Sequence, residues 1–172
     1  YICSMQIIKY VGIIMLFVAA GFYGMILLAP SELEYRVNED IQAPIEEVFE
    51  AISRPDVMTK WMKGLESVKQ TRGAETELSA EYDLYYPQEM IMHRVVKVYE
   101  DPTRIVNEGI VKEFFSRVDD YTLEAIDSNK TRISWRVKMT SLDMKSRMIM
   151  KAEDSHKTNT AANLTALKEL LE

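Results

Sequence analysis

Six polar residues in this chain of 172 stand where neighbouring apolar residues mark the buried face of an element: Glu39, Arg94, Asn107 and Asp119 in strand-like text, Ser155 and Asn159 in helix-like text. A charge taken out of water is costly unless it is paired and hydrogen-bonded. Inward-facing Glu39, Arg94 and Asp119 would therefore need one another, water, or the polar head of a ligand. Glu39 and Asp119 could also share acid–base work of the glycosidase kind, but that requires a separation which sequence spacing does not set. A bulge or a one-residue slip in register would turn these side chains outward.

The two histidines add little chemistry. His93, in EMIMHRVVKVYE, is out of phase with Met90 and Met92 and faces solvent if they face inward. His156, beside Ser155, reads as a surface residue that at most rims a cavity. Neither sits in a metal-ligand pattern, no Cys-x-x-Cys or His-Glu-x-x-His occurs, and no metal or cofactor is expected. No nucleophile–base pair is visible either, so catalytic residues stay unassigned. Tyr82, Tyr85, Tyr86, Tyr99 and Tyr121 could place hydroxyls in an interior space or serve packing. Met139, Met144, Met148 and Met150, with Met90 and Met92, suit a pocket entrance or lipid contact as well as core filling. The candidate lining of a binding cavity is thus Glu39, Tyr82, Met92, Arg94, Asn107, Asp119, Trp135, Met148, Ser155 and Asn159.

The elements that position these residues follow from period and punctuation. Tyr35, Val37 and Ile41 lie on one face of a strand, and Pro44 then opens an amphipathic helix with Ile45, Val48, Phe49 and Ile52 as its stripe. Pro55 separates this from a second short helix carrying Val57, Met58, Trp61 and Met62. From Gly64 the period switches to two: Leu78 to Tyr86, Met90 to Tyr99, Arg104 to Val111, Phe115 to Ile126 and Thr131 to Thr140 read as strands, with turn chemistry at Asp101-Pro102 and Asp127 to Lys130. Such strands predict an antiparallel sheet with one polar face. Ser141 to Glu172, free of Pro and Gly, predicts one long helix over the other face, with Ala162, Ala166, Leu170, Leu164, Leu167 and Leu171 as its stripe. Extended backward, the stripe predicts small or mildly polar inward residues at Met148, Ala152, Ser155 and Asn159, a hint of a cavity.

Ahead of this lies VGIIMLFVAAGFYGMILLA, Val11 to Ala29, uncharged from Lys9 to Glu32. At about 1.5 Å per residue such a run is long enough for the roughly 30 Å hydrocarbon core of a bilayer. A cleaved signal peptide usually has a shorter apolar run and a small-x-small site, which Leu27-Leu28-Ala29-Pro30 does not supply. The expectation is a retained transmembrane helix within residues 1–31, contacting the bilayer through residues 10–30, and a second unit over 32–172. Lys9 against Glu32, Glu34 and Arg36 favours an inside N-terminus and an extracytoplasmic domain. Cys3 has no partner for a disulfide. Residues after Ser31 carry 20 of the 21 basic and all 27 acidic residues, a negative balance that argues against nucleic acid as a partner.

The order strand, two short helices, antiparallel strands, long final helix resembles the helix-grip fold of the START-related polyketide cyclase (SRPBCC) superfamily. IQAPIEEVFEAISRPDVMTKWMKGLESV is similar to that superfamily's opening, and VVKVYEDPTRIV resembles its middle strand and turn. The resemblance covers Leu33 to Glu172. It implies an α+β fold in which a curved antiparallel sheet wraps the C-terminal helix around an apolar cavity for lipids, sterols, polyketides, plant hormones or haem-related molecules. It carries over no catalytic residue; Ala43, Pro44, Val48, Phe49 and Trp61 match structural positions. The resulting expectation is a membrane-tethered binding domain for a hydrophobic or lipid-like small molecule. The alternatives are a non-catalytic accessory subunit of a membrane complex, favoured by Gly21 and Gly24 as points of close helix approach, and, third, a cyclase- or hydrolase-type enzyme using cavity acid–base groups.

Overall fold

The computed structural model describes residues 2–74, 77–144 and 146–172, without the side chains of residues 2–9 and Leu27, so Cys3, Lys9 and Leu27 lie outside the described side chains. Helix α1 (Ile2–Leu27) comes first, followed by β1 (Glu32–Ile41), α2 (Ile45–Ser53), α3 (Pro55–Trp61) and six strands: β2 (Ser67–Arg72), β3 (Glu81–Tyr86), β4 (Met90–Glu100), β5 (Arg104–Val111), β6 (Phe115–Asp127) and β7 (Lys130–Ser141). A one-turn helix, α4 (Arg147–Met150), precedes the closing helix α5 (Glu153–Leu171).

The strands form one antiparallel sheet in the order β1-β7-β6-β5-β4-β3-β2. Alternation decides which face is dry: Ile133, Trp135, Val137 and Met139 of β7 are buried, as are Leu33, Tyr35 and Ile41 of β1. Helices α2, α3 and α5 cover that face, α5 packing along β1 and against α3. The two short helices are fixed by one hydrogen bond and one ring contact. Pro55 sits in the first turn of α3, Trp61 Nε1 donates to the Ala51 carbonyl at 3.0 Å, and the Trp61 ring meets Trp135 edge to face with centroids 6.1 Å apart. This is the α+β helix-grip arrangement.

Three details depart from the sequence expectation. Strand β2 is additional: its text SVKQTR offers only Val68 as an apolar residue, because β2 is a sheet edge paired only to β3. Strand β3 starts at Glu81, and Leu78 lies exposed in the turn before it. The final helix is broken. Ala152, with φ −86° and ψ 37°, leaves helical geometry between α4 and α5, and the inward stripe becomes Met150, Thr160, Leu164 and Leu167. Met148, Ala152, Ser155, Asn159 and Leu170 are consequently exposed, because the break resets the helical phase from which they were placed inward.

The apolar side chains of α1 from Tyr10 to Met25 lie largely exposed. Among the described residues no helix is long and apolar enough to cross a membrane.

Candidate ligand-binding site

The site begins with a row across three strands. In register, Arg94 of β4 faces Gly109 of β5, which faces Arg117 of β6. All three lie on the inner face, so two guanidinium groups flank a residue without a side chain. Gly109 gives Met92 its room: a Cβ there would lie 2.7 Å from Met92 Sδ and 3.1 Å from Met92 Cγ, so the flexible Met92 side chain would have to shift.

One carboxylate serves both arginines. Asp119 Oδ1 accepts from Arg117 Nε at 2.8 Å and from Trp135 Nε1 at 2.8 Å; Oδ2 lies 3.5 Å from an Arg94 terminal nitrogen. Arg94 and Asp119 are 2 % and 1 % exposed, so this pair is out of bulk water. Arg94 has little else: one terminal nitrogen points to Met58 Sδ at 3.6 Å, and its Nε has no hydrogen-bond partner among the described residues. Asn107, in register with Asp119, is equally buried, and its Nδ2 is likewise without a partner among the described residues. Arg117 rests over the Trp135 ring at 5.6 Å, a cation–π distance.

The electrostatics follow from this crowding. Burial works against the Arg117 charge, while Asp119 and the nearby Tyr35 and Tyr121 oxygens work for it, and the balance holds the guanidinium protonated. Burial pushes the Tyr121 phenol well up, and the Asp119 carboxylate adds to the effect. Tyr86 is also raised by burial. Both phenols stay neutral at any physiological pH.

Above the row lies a cavity of about 150 Å³ between the sheet and the first half of α5, walled by Met62, Lys63, Tyr86, Met92, Arg94, Arg117, His156, Asn159, Thr160 and Asn163. Side chains from both sides hold its shape: the Tyr35 hydroxyl bonds Thr160 Oγ1 at 2.9 Å, and Asn163 Oδ1 accepts the Lys63 backbone N–H at 2.9 Å. The cavity is small and largely polar rather than large and apolar. Trp61, Trp135, Tyr121 and Met139, all fully buried, fill the space that an apolar chamber would need.

A second, open and apolar groove of about 680 Å³ lies at the neighbouring end of the sheet, lined by residues that include Met90, Ile91, Ile110, Phe114, Phe115 and Ile149. One wall residue of each is in contact with the other, since His156 Nε2 lies 3.1 Å from the Ile149 carbonyl oxygen.

The structure divides the sequence candidates. Arg94, Met92 and Asn159 line the cavity, with Asp119, Asn107 and Trp135 buried beneath or beside it. Tyr82 is buried on β3. Glu39 is elsewhere, paired with Lys168 Nζ at 2.9 Å near the far end of α5. Met148 and Ser155 are exposed. His93 faces away from the core, its Nδ1 2.9 Å from Asp83 Oδ1, whereas His156 is a cavity wall rather than a plain surface residue. Arg117, Lys63, Thr160 and Asn163 were not among the candidates. Arg117 could have been found, because it lies two residues from Asp119 on the same face of β6. Among the described residues no three His, Cys, Asp or Glu side chains gather as a metal site.

Comparisons place this architecture. The chain resembles a protein of Nitrosospira multiformis (15 % identity, TM-score 0.64, 81 % of this chain and 96 % of that one) and a protein of Helicobacter pylori (12 %, TM-score 0.68, 82 % and 88 %). It also resembles DynU16, a protein of the dynemicin biosynthetic locus (16 %, TM-score 0.60), of which it spans 47 % while 83 % of this chain is covered. At these identities the likeness is one of fold. No curated protein matches the chain. Residues 32–172 match the family described as polyketide cyclase / dehydrase and lipid transport, and the chain belongs to that family.

Proposed function

We propose that this is a membrane-tethered binding domain for a hydrophobic, lipid-like molecule, taken up at the end of the sheet where α1 joins. The observation that carries the reading is a band of exposed apolar side chains at that end. Ser31, just after α1, accepts a hydrogen bond from the Ser141 N–H at 2.8 Å, and the Leu142 N–H donates to the Phe114 carbonyl at 2.9 Å. Around these ties Met90, Ile91, Ile110, Phe114, Leu142 and Met144 are all exposed. Contiguous apolar surface is unfavourable in water and marks a contact with lipid, ligand or protein. The described apolar side chains of α1, the helix that precedes Ser31, are exposed as well, and the family's description includes lipid transport.

The test is extraction of the full chain in a mild neutral detergent, followed by mass spectrometry of what co-purifies and by vesicle flotation. A bound apolar molecule is expected, with its recovery reduced when Phe114→Asp and Leu142→Asp are combined, while flotation through α1 is retained. A ligand-free protein that stays with the soluble fraction would contradict the reading. The filled interior favours a second reading, an accessory subunit whose apolar band docks on a membrane protein. Co-purification of a stoichiometric protein partner with no small molecule would select it.

A further inference from the structure

We propose that the cavity beneath α5 is a head-group site for an anionic amphiphile, its carboxylate or phosphate held by Arg94 and Arg117. This rests on the lipid-binding reading and names the chemistry of the molecule's polar end. Three cationic side chains, Lys63, Arg94 and Arg117, meet there with Asp119 as the carboxylate that both arginines share. Two positive charges are left in excess, in a protein whose net charge is −6. A second observation is independent of charge. Arg94 is 2 % exposed, yet its Nε is unpartnered and its link to Asp119 is long, at 3.5 Å. A buried guanidinium normally has its donors satisfied, and an unmade hydrogen bond there is expensive. An anion in the cavity that Arg94 and Arg117 line balances the charge and gives the under-satisfied guanidinium a further acceptor.

Size sets what enters. About 150 Å³ is room for about five waters at roughly 30 Å³ each, which suits a phosphate or carboxylate and excludes a whole lipid. The tail's place is assigned to the apolar groove outside, whose lining residue Ile149 is held by its carbonyl to the cavity-wall residue His156. Gly109 makes room for the Met92 side chain between the arginines, and Lys63 stands exposed at the mouth, where it adds attraction without being needed for packing.

The experiment uses the full chain in zwitterionic nanodiscs, with the combined fluorescence of Trp61 and Trp135, the latter touching Asp119 and Arg117, as the reporter. The probes are decyl phosphate, decanoate, decanol and inorganic phosphate. Both anionic amphiphiles are expected to bind at least tenfold more tightly than decanol. Arg117→Gln is expected to abolish that preference. Lys63→Glu, a surface change that leaves the core intact, is expected to weaken the anions several-fold. Decanol binding as tightly as the anions, or a preference that survives both substitutions, overturns the head-group site but not the lipid-binding reading. Failure of all four probes overturns both. Inorganic phosphate binding as tightly as decyl phosphate supports the anion site and overturns the place assigned to the tail.

Discussion

Two arginine–aspartate clusters in this molecule differ in a way that separates structure from function. On the outer face, at the β1–β7 pair, Arg132 holds Asp40 with two hydrogen bonds of 2.8 and 3.1 Å, and Lys130 stands 3.6 Å away. On the inner face Arg94 reaches Asp119 by one contact of 3.5 Å and keeps an unused donor. Arg117 and Trp135 hold the other oxygen of Asp119 at 2.8 Å, so within the inner cluster it is Arg94 that is left poorly paired. Exposed pairs compete with water and are screened by salt, whereas two charges under a helix are high-stakes because each depends on the other. A fold seeking only stability would fill the inner position with apolar side chains, as it does around Trp61 and Ile133. A polar cluster left short of partners is instead suited to receiving one.

Breaking the inner cluster should have the largest effect. Asp119→Ala leaves two guanidinium groups and the Trp135 N–H without their carboxylate and should lower stability by about 3–5 kcal/mol, measured by denaturant unfolding. Trp135→Phe keeps the ring packed against Trp61 and Tyr121 but removes one donor to that carboxylate. Its expected cost is about 2 kcal/mol, on the same measurement. Gly109→Ala drives Met92 from its seat; because Met92 is flexible, the cost should be about 1 kcal/mol, while decyl phosphate binding falls as the displaced side chain enters the cavity.

The outer cluster supplies the contrast, and Asp40→Asn should lower the melting temperature at neutral pH by only a small, resolvable amount. The hydrogen bond from Arg132 holds the Asp40 carboxyl below its ordinary value. Its contribution is therefore present above the unfolded carboxylate value of about 3.9 and is lost as pH falls through the lower folded value. Parent and variant should converge only in that acidic window, as followed by thermal melts across pH.

How much of this was legible in the sequence can be judged from particular residues. Strands β4 to β7 appear within about a residue of their predicted bounds because one face of each is buried, and burial writes a period of two into the text. The mutual need of inward Arg94 and Asp119 was legible from the cost of unpaired charge, and the structure pairs them. Glu39 obeys the same rule with a different partner, Lys168, which no local pattern could reveal across 129 positions. Strand β2 escaped because an edge strand needs little apolar text. The helix stripe was misphased because nothing in KAEDSH, neither Pro nor Gly, announces the break at Ala152; packing of Met150 and of Thr160 against Tyr35 sets it. Cavity size lay beyond the sequence, since it depends on where two tryptophan rings meet.

The contrast between the two clusters is tested most directly at the arginine Nε–H groups themselves. With the full chain labelled at arginine nitrogen in zwitterionic nanodiscs, decyl phosphate is titrated while the Nε resonances of Arg94 and Arg132 are followed by NMR. The Arg94 resonance should move downfield and saturate as its free donor gains an acceptor, with Arg132 unmoved. An Arg94 resonance that stays in place while the ligand binds, or that moves in step with Arg132, would contradict the account.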